Sequence, residues 1–305
     1  MLGIVLPLFY IIIRELLDNK IRTIDEIEKQ YNIPLLGVVG RIKGMNNLIV
    51  FDSPKSVIAE SFRALRSNIQ FLFKNNTDNT VGKRAKTLLL TSSVSGEGKT
   101  MISINMATVF ALSGKKTILV GMDLRKPKIF NDFELNNDIG VVNYLINQKT
   151  ISEITRKTKV PNLDIILSGP IPPNPSELLL SENCNLFIKE LEKEYDYIVI
   201  DTPPIGLVSD ALELFKYSDA ICYVIRQDYT QRGMNTMIDV KYTNKEVSNI
   251  SYIFNDLKLK NNRGYGYGYG YGYGYSETYG NGYHENDEPK TTLFKKIISF
   301  IKPKK

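Results

Sequence analysis

The sequence predicts an α/β domain built on a doubly wound, mostly parallel sheet. Three observations carry that prediction. From Lys86 onward, short apolar runs alternate with helical patterns. A glycine-rich turn joins the first run to a helix, and acidic residues stand where two further runs end. Strands are expected at residues 87–92, 116–121, 163–167, 197–201, 220–226 and 250–255. Each is short and mostly apolar, as strands covered by helices on both faces are.

Composition bounds the rest. In 305 residues, 43% hydrophobic and 24% charged, there is room for one large domain with a real core and appendages. Cys184 and Cys222 are too few for a disulfide framework and lack metal-ligand spacing, which points to a reducing compartment. His284 is the only histidine, so histidine triads and histidine-rich metal sites are excluded. The net charge of +6 is concentrated near the ends, in Lys295, Lys296, Lys302, Lys304 and Lys305 at the C-terminus. With an apolar run opening the chain, an anionic membrane surface ranks above nucleic acid as the partner.

Taken in order, residues 2–13 (LGIVLPLFYIII) are apolar and stop at Arg14 and Glu15. As a helix they rise about 18 Å, short of the roughly 20 residues a bilayer needs. The readings are the end of a transmembrane helix (residues 1–13), a buried or interfacial helix, or a signal. Arg14, Lys20 and Arg22 put the following flank on the cytoplasmic side. Residues 14–50 then read as a juxtamembrane linker. Within it, residues 23–30 form a short capped helix with Thr23 or Asp25 near its start. Residues 51–260 read as the main domain. Its first helix, 60–71, sets Phe62, Leu65 and Ile69 on one face and Glu60, Arg63, Ser67 and Gln70 on another.

Residues 91–100 (TSSVSGEGKT) follow a strand and open a helix, the context that a phosphate-binding P-loop requires. Ser95, Gly96, Glu97, Gly98, Lys99, Thr100 and Met101 are expected around a nucleotide. Gly96 and Gly98 let backbone N–H groups curve round phosphate oxygens, and the helix N-terminus adds unpaired donors. Lys99 reaches the β- and γ-phosphates of ATP and the Thr100 hydroxyl ligates Mg²⁺. Ser93 stands where the usual first glycine of the motif would be. The apolar run YIVID ends in Asp201, a strand-end acid suited to holding Mg²⁺ or, more blandly, to capping the next turn. A third run ends in Gly121, Met122, Asp123, Leu124 and Arg125, which bring Asp123 and Arg125 to the same sheet edge unless the segment is only a surface turn. Asn255, at the end of the last strand, is a candidate for adenine contact.

At these residues the chain resembles the bacterial tyrosine kinases that act with polysaccharide co-polymerases in capsule and exopolysaccharide export. The family's Walker A, Walker A′ and Walker B motifs match residues 93–100, 118–125 and 198–201, and its E-x-x-R-x-x-R motif matches Glu60, Arg63 and Arg66. Residues 168–179 (SGPIPPNPSELL) are also very like the family's, although the residues alone supply no mechanism for them. The resemblance implies a Mg²⁺- and ATP-dependent tyrosine autokinase, with Lys99, Asp123, Asp201 and Arg125 catalytic and Thr100, Asp123 and Asp201 around the metal. It also implies a ring assembled through Glu60, Arg63 and Arg66, a membrane co-polymerase or activator segment, an opposing protein-tyrosine phosphatase, and a place on the cytoplasmic face of the bacterial inner membrane. Gly121 replaces the first acid of the family's D-x-D pair, leaving Asp123 or Asp201 to accept the phenol proton. The alternatives are a non-catalytic, nucleotide-gated assembly module and the partner-switching ATPases of the same fold. The latter carry an extra lysine in their P-loop where Val94 stands here.

Residues 264–275 alternate glycine and tyrosine. With Tyr265, Tyr267, Tyr269, Tyr271, Tyr273, Tyr275, Tyr279 and Tyr283, residues 261–290 read as a disordered, solvated tail. Alone it is equally an adhesive low-complexity linker; beside a P-loop kinase it becomes the phosphoacceptor. Full modification adds roughly −12 to −16 charge units, enough to make neighbouring subunits repel. Residues 291–305 form a basic end whose LFKKIISFI stretch suits an interfacial helix or a fraying terminus.

Overall fold

The computed structural model describes residues 18–258 other than 43, 45–46, 76–83, 130–132, 134 and 207–209, together with residue 9. The remainder of the apolar N-terminal run, the tyrosine tail and the basic end therefore lie outside the described residues. No helix among the described residues is long and apolar enough to cross a membrane.

One eight-stranded sheet organises the body. Its strands are β1 (Leu35–Gly40), β2 (Lys86–Ser92), β3 (Thr117–Gly121), β4 (Thr155–Lys157), β5 (Leu163–Ile166), β6 (Tyr197–Asp201), β7 (Ala220–Arg226) and β8 (Ile250–Leu257). They lie in the order β1-β8-β7-β2-β6-β3-β5-β4. Every pairing is parallel except that of β4 with β5. The expected doubly wound α/β class is what the chain adopts.

Strand alternation divides the core into two layers. Leu88, Leu90, Leu119 and Val199 face one side, while Leu89, Ile118, Val120, Ile198 and Ile200 face the other. The helix α3 (Lys99–Ala111) lies on the first side, and all its residues but Thr100 are buried. The helix α2 (Val57–Asn75) packs beside it with Phe62, Leu65 and Ile69 fully buried, the stripe that the 3.6-residue period predicts. Gly37 lets α2 close on β1: a Cβ there would stand 2.7 Å from the Leu65 side chain.

The stretch read as a juxtamembrane linker contributes to this body. Its short helix α1 (Ile24–Gln30) is capped by Thr23, whose Oγ1 accepts from the Glu26 N–H at 3.3 Å. Beyond α1, β1 joins the sheet edge in parallel with β8. Ahead of α1, residues 19–22 run against the loop that follows β7. Ile21 N–H donates to the Thr230 carbonyl at 2.9 Å, Asp228 N–H to the Ile21 carbonyl at 2.9 Å, and Arg232 N–H to the Asn19 carbonyl at 2.8 Å. The side-chain amide of Gln227 reaches the Arg22 carbonyl at 2.8 Å.

Register sets the position of the site. Leu90 of β2 and Gly121 of β3 both stand opposite Asp201 of β6. The turn after β2, the last residue of β6 and the turn after β3 thus meet at one carboxyl edge, where ligands of open α/β sheets bind.

Candidate active site

Between β2 and α3 the backbone turns through Gly96 at φ +95° and Gly98 at φ +91°, values that favour glycine. At Gly98 space forbids a side chain as well, because a Cβ would lie 2.1 Å from Asn255 Nδ2. Three successive carbonyls of this loop are held from outside. Tyr229 Oη donates to the Ser95 carbonyl at 2.9 Å, Arg226 Nη1 to that of Gly96 at 2.8 Å, and Asn255 Nδ2 to that of Glu97 at 2.8 Å. With its carbonyls engaged elsewhere, the loop is left to offer N–H groups to the cleft, the arrangement that binds phosphate. Asn255 is buried and does not line the cleft. Asn255, expected near adenine, supports the loop through its Nδ2.

Asp201 is the centre of the site. It is 2% exposed and takes three donors: Lys99 Nζ at 2.8 Å, Thr100 Oγ1 at 3.0 Å and Ser103 Oγ at 2.9 Å. The strand-end acid, the P-loop lysine and the helix-start hydroxyl, read separately from the sequence, converge here. Ser103 was not anticipated. Its position one turn after Lys99 on α3 was the available signal.

Glu97 lines the cleft as part of the loop, but its side chain is buried within it. Its buried carboxylate accepts from Ser93 Oγ at 2.6 Å, from Val94 N–H at 2.8 Å and from the Thr230 hydroxyl. Burial pushes its pKa above the ordinary glutamate value, although the three hydroxyl and amide donors pull the other way. Its carboxylate therefore braces the loop from inside. Ser93 now has a physical reason: a glycine there could not donate to Glu97.

On the other flank, Asp123 caps the turn after β3, its Oδ1 accepting from the N–H groups of Arg125 at 3.2 Å and Lys126 at 2.9 Å. It also lines the cleft at the sheet's carboxyl edge. Gly121, where the resemblance implies another acid, faces Ser168, and a Cβ there would lie 3.2 Å from Ser168 Oγ. Arg125 is clamped. Its Nε and Nη2 donate to Asp210 at 2.7 and 3.3 Å, and Nη2 also donates to Ser176 Oγ at 3.0 Å. Ser176 in turn donates to Asp210 at 2.8 Å. Burial alone would raise the Asp210 pKa, but the Arg125 and Ser176 hydrogen bonds outweigh it and hold the carboxyl below its usual value. The 168–179 segment thus acquires a role through Ser176, at the start of α4 (Pro175–Leu180), and through Ser168 beneath Gly121. Asp210→Asn is expected to lower the turnover of a reaction that uses Arg125 by about 10- to 100-fold, the cost of a misplaced group. Steady-state kinetics should assign the loss to kcat, with KM for nucleotide changed less than about twofold.

Glu60, Arg63 and Arg66 lie on α2, away from the cleft. Arg63 is paired with Glu60 and donates to the Pro54 carbonyl at 2.6 Å, while Arg66 donates to that of Val109 at 3.3 Å.

The cleft itself measures about 420 Å³ and is lined by the P-loop, Asn47, Asp123, the basic run after it, and Pro203 and Pro204. That volume and the N–H-lined loop fit a nucleotide. Among the described residues no three His, Cys, Asp or Glu side chains cluster as a metal site. An ion held here would share phosphate oxygens with Thr100 and Asp201, the usual habit of Mg²⁺.

A family model described as "AAA domain" matches residues 85–252. Among curated proteins, the chain is 45% identical over 164 residues to the putative tyrosine-protein kinase CapB of Staphylococcus aureus, covering 54% of this chain and 69% of that protein. It is 37% identical over 190 residues to the tyrosine-protein kinase YwqD of Bacillus subtilis (strain 168), covering 61% and 76%. Among solved structures, the BceF tyrosine kinase domain superposes with a TM-score of 0.68 at 27% identity, over 78% of this chain and all of that one.

Proposed function

The chain belongs to the bacterial tyrosine-kinase family, and from that premise we propose that it moves the γ-phosphoryl group of ATP onto tyrosines of its own C-terminal cluster, chiefly between subunits. The observation that carries this reading is the convergence of Lys99, Thr100 and Ser103 on Asp201 beneath a P-loop whose carbonyls are tied back. When bound, Mg²⁺-ATP supplies the transferable group. Positioning and charge stabilisation are what remain for the protein to do. In this reading the loop amides and Lys99 hold the phosphates, Thr100 and Asp201 hold the ion, and Asp123 receives the phenol proton. Arg125, fixed by Asp210 and Ser176, stabilises the charge that develops at the cleft. Residues 51–260 form the kinase domain, with residues 19–40 built onto it.

Regulation of capsule or exopolysaccharide synthesis is proposed as the wider role. It places the chain on the cytoplasmic face of the inner membrane, in a ring joined through Glu60, Arg63 and Arg66. A membrane activator segment would engage it and a protein-tyrosine phosphatase would reverse it. Gly121 favours one alternative, an assembly module in which nucleotide only holds subunits together, because a carboxylate common at that position in the family is missing. Mass spectrometry after incubation with Mg²⁺-ATP separates the two. Several phosphates on Tyr265 to Tyr283, absent when a chelator removes the metal, are expected. Unmodified tyrosines in protein that binds ATP by calorimetry would favour the assembly reading.

A further inference from the structure

Two lysines at the rim of the cleft stand outside the ion pairs that engage its other cations. Lys99 is committed to Asp201 and Arg125 to Asp210. Lys126 and Lys128 line the same cleft, are exposed, and make no ion pair among the described residues. The Asp123-capped turn fixes the backbone of Lys126 at this rim. Among the described residues the rim therefore carries two cations that no carboxylate pairs with, although Asp123 lines the same cleft and accepts from the backbone N–H of Lys126.

The eight tail tyrosines differ in what stands two residues away. Glu277 is two residues from both Tyr275 and Tyr279, and Glu285 is two residues from Tyr283. Tyr267 to Tyr273 have other tyrosines at that distance, and Tyr265 has Arg263 on one side. In an extended segment, residues two apart project from the same side, roughly 6.6 Å from each other. A tyrosine entering the cleft so extended brings its neighbour two residues away to the rim.

We propose that Lys126 and Lys128 select acceptor tyrosines that carry a negative charge two residues away. This rests on the kinase reading above. The transfer itself is unaltered: a phenol Oη–phosphorus bond forms, the bond to the bridging oxygen of the departing ADP breaks, and the phenol proton passes to Asp123. What the lysines add is order. Phosphotyrosine carries about −1.5 to −2 charges, so each modified tyrosine becomes the selecting charge for the next. Modification then begins at Tyr275, Tyr279 and Tyr283 and travels back through the glycine-tyrosine repeat, reaching Tyr265 last.

The test is a time course of the full chain with Mg²⁺-ATP at low salt, with occupancy of each tyrosine read by mass spectrometry. Acid-flanked sites should lead, each favourable contact giving about a two- to fivefold advantage, the range for exposed ion pairs. Lys126→Glu with Lys128→Glu should erase or reverse the order. Salt near 0.5 M should flatten it, because exposed charges are screened. All eight sites filling at one pace, Tyr265 leading, or the wild-type order surviving the charge reversal would each overturn the selection while leaving the kinase reading intact. No phosphate on any tyrosine would instead remove the kinase reading, and the selection with it.

Discussion

Replacing Lys99 with methionine is expected to cut tyrosine phosphorylation by about 10²- to 10³-fold and to destabilise the fold at the same time. The activity loss follows from removing a cation positioned to follow charge on a phosphoryl group in transfer, where a single preorganised donor is worth about 10²- to 10³-fold. The stability loss has a separate origin. Lys99 and Asp201 form a buried ion pair, with side chains 8% and 3% exposed. Removing one partner of such a pair leaves a buried charge and costs about 3–5 kcal/mol. Thr100 and Ser103 still donate to Asp201, which places the cost at the lower end, about 3 kcal/mol. For a domain of this size that corresponds to a Tm lower by about 6–12 °C. Differential scanning fluorimetry and phosphotyrosine mass spectrometry read the two effects independently. A variant that keeps a tenth of wild-type phosphorylation would exclude Lys99 from the chemistry.

Glu97 is where two substitutions should part company. Glu97→Ala strands the Ser93 hydroxyl, the Val94 N–H and the Thr230 hydroxyl beneath the P-loop. Each unsatisfied buried group costs about 1–3 kcal/mol, so the variant should lose about 3–5 kcal/mol and bind nucleotide poorly. Glu97→Gln keeps the shape: its carbonyl can accept from Val94 while its amide donates to the hydroxyls. It should fold as the wild type does and change the pH dependence. Burial raises the Glu97 pKa in the folded chain above the ordinary value of 4.5. The folded state therefore favours the protonated acid. That contribution is fully present below pH 4.5 and fades as pH climbs through the higher folded value. As pH rises above 4.5 and through the higher folded value, wild-type stability should fall relative to the Gln variant. Parallel Tm-against-pH curves would contradict this account.

Much of the architecture was legible because burial leaves periodic marks. The strands at Tyr197–Asp201 and Ala220–Arg226 have the bounds that their apolar runs predict, and the Phe62, Leu65 and Ile69 stripe faces the core. Two strands were not anticipated. Residues 155–157 are polar and pair along one sheet edge, so no apolar pattern betrays them. Leu35–Gly40 lies inside a stretch that reads as a linker and is interrupted by Gly37, whose reason is a helix packed against it. At the site, Lys99, Thr100 and Asp201 were readable because motif spacing and strand-end position converge on them. Ser176, Asp210, Tyr229 and Thr230 were not. Each acts through a partner more than thirty residues away, and such pairings exist only once the sheet has assembled. Glu97 and Asn255 show the converse: each belongs to a motif or a strand end that suggests ligand contact, yet each spends its side chain on the loop.

The loop after β7 also joins residues 19–22 and the exit of β8 to the P-loop. Arg226, Tyr229 and Thr230 hold Gly96, Ser95 and Glu97, while the backbone of the same loop pairs with residues 19–22. Gln227 adds the exit of β8, accepting from the Lys258 N–H at 2.7 Å as it grips Arg22. This loop therefore works as a three-way junction. Whatever energy couples the strap at residues 19–22 to the nucleotide loop must run equally in both directions. A pull that unzips the strap is expected to weaken nucleotide binding, and bound nucleotide to raise the force needed to unzip the strap. Residues 19–22 and the P-loop edge of the sheet are, mechanically, one lever.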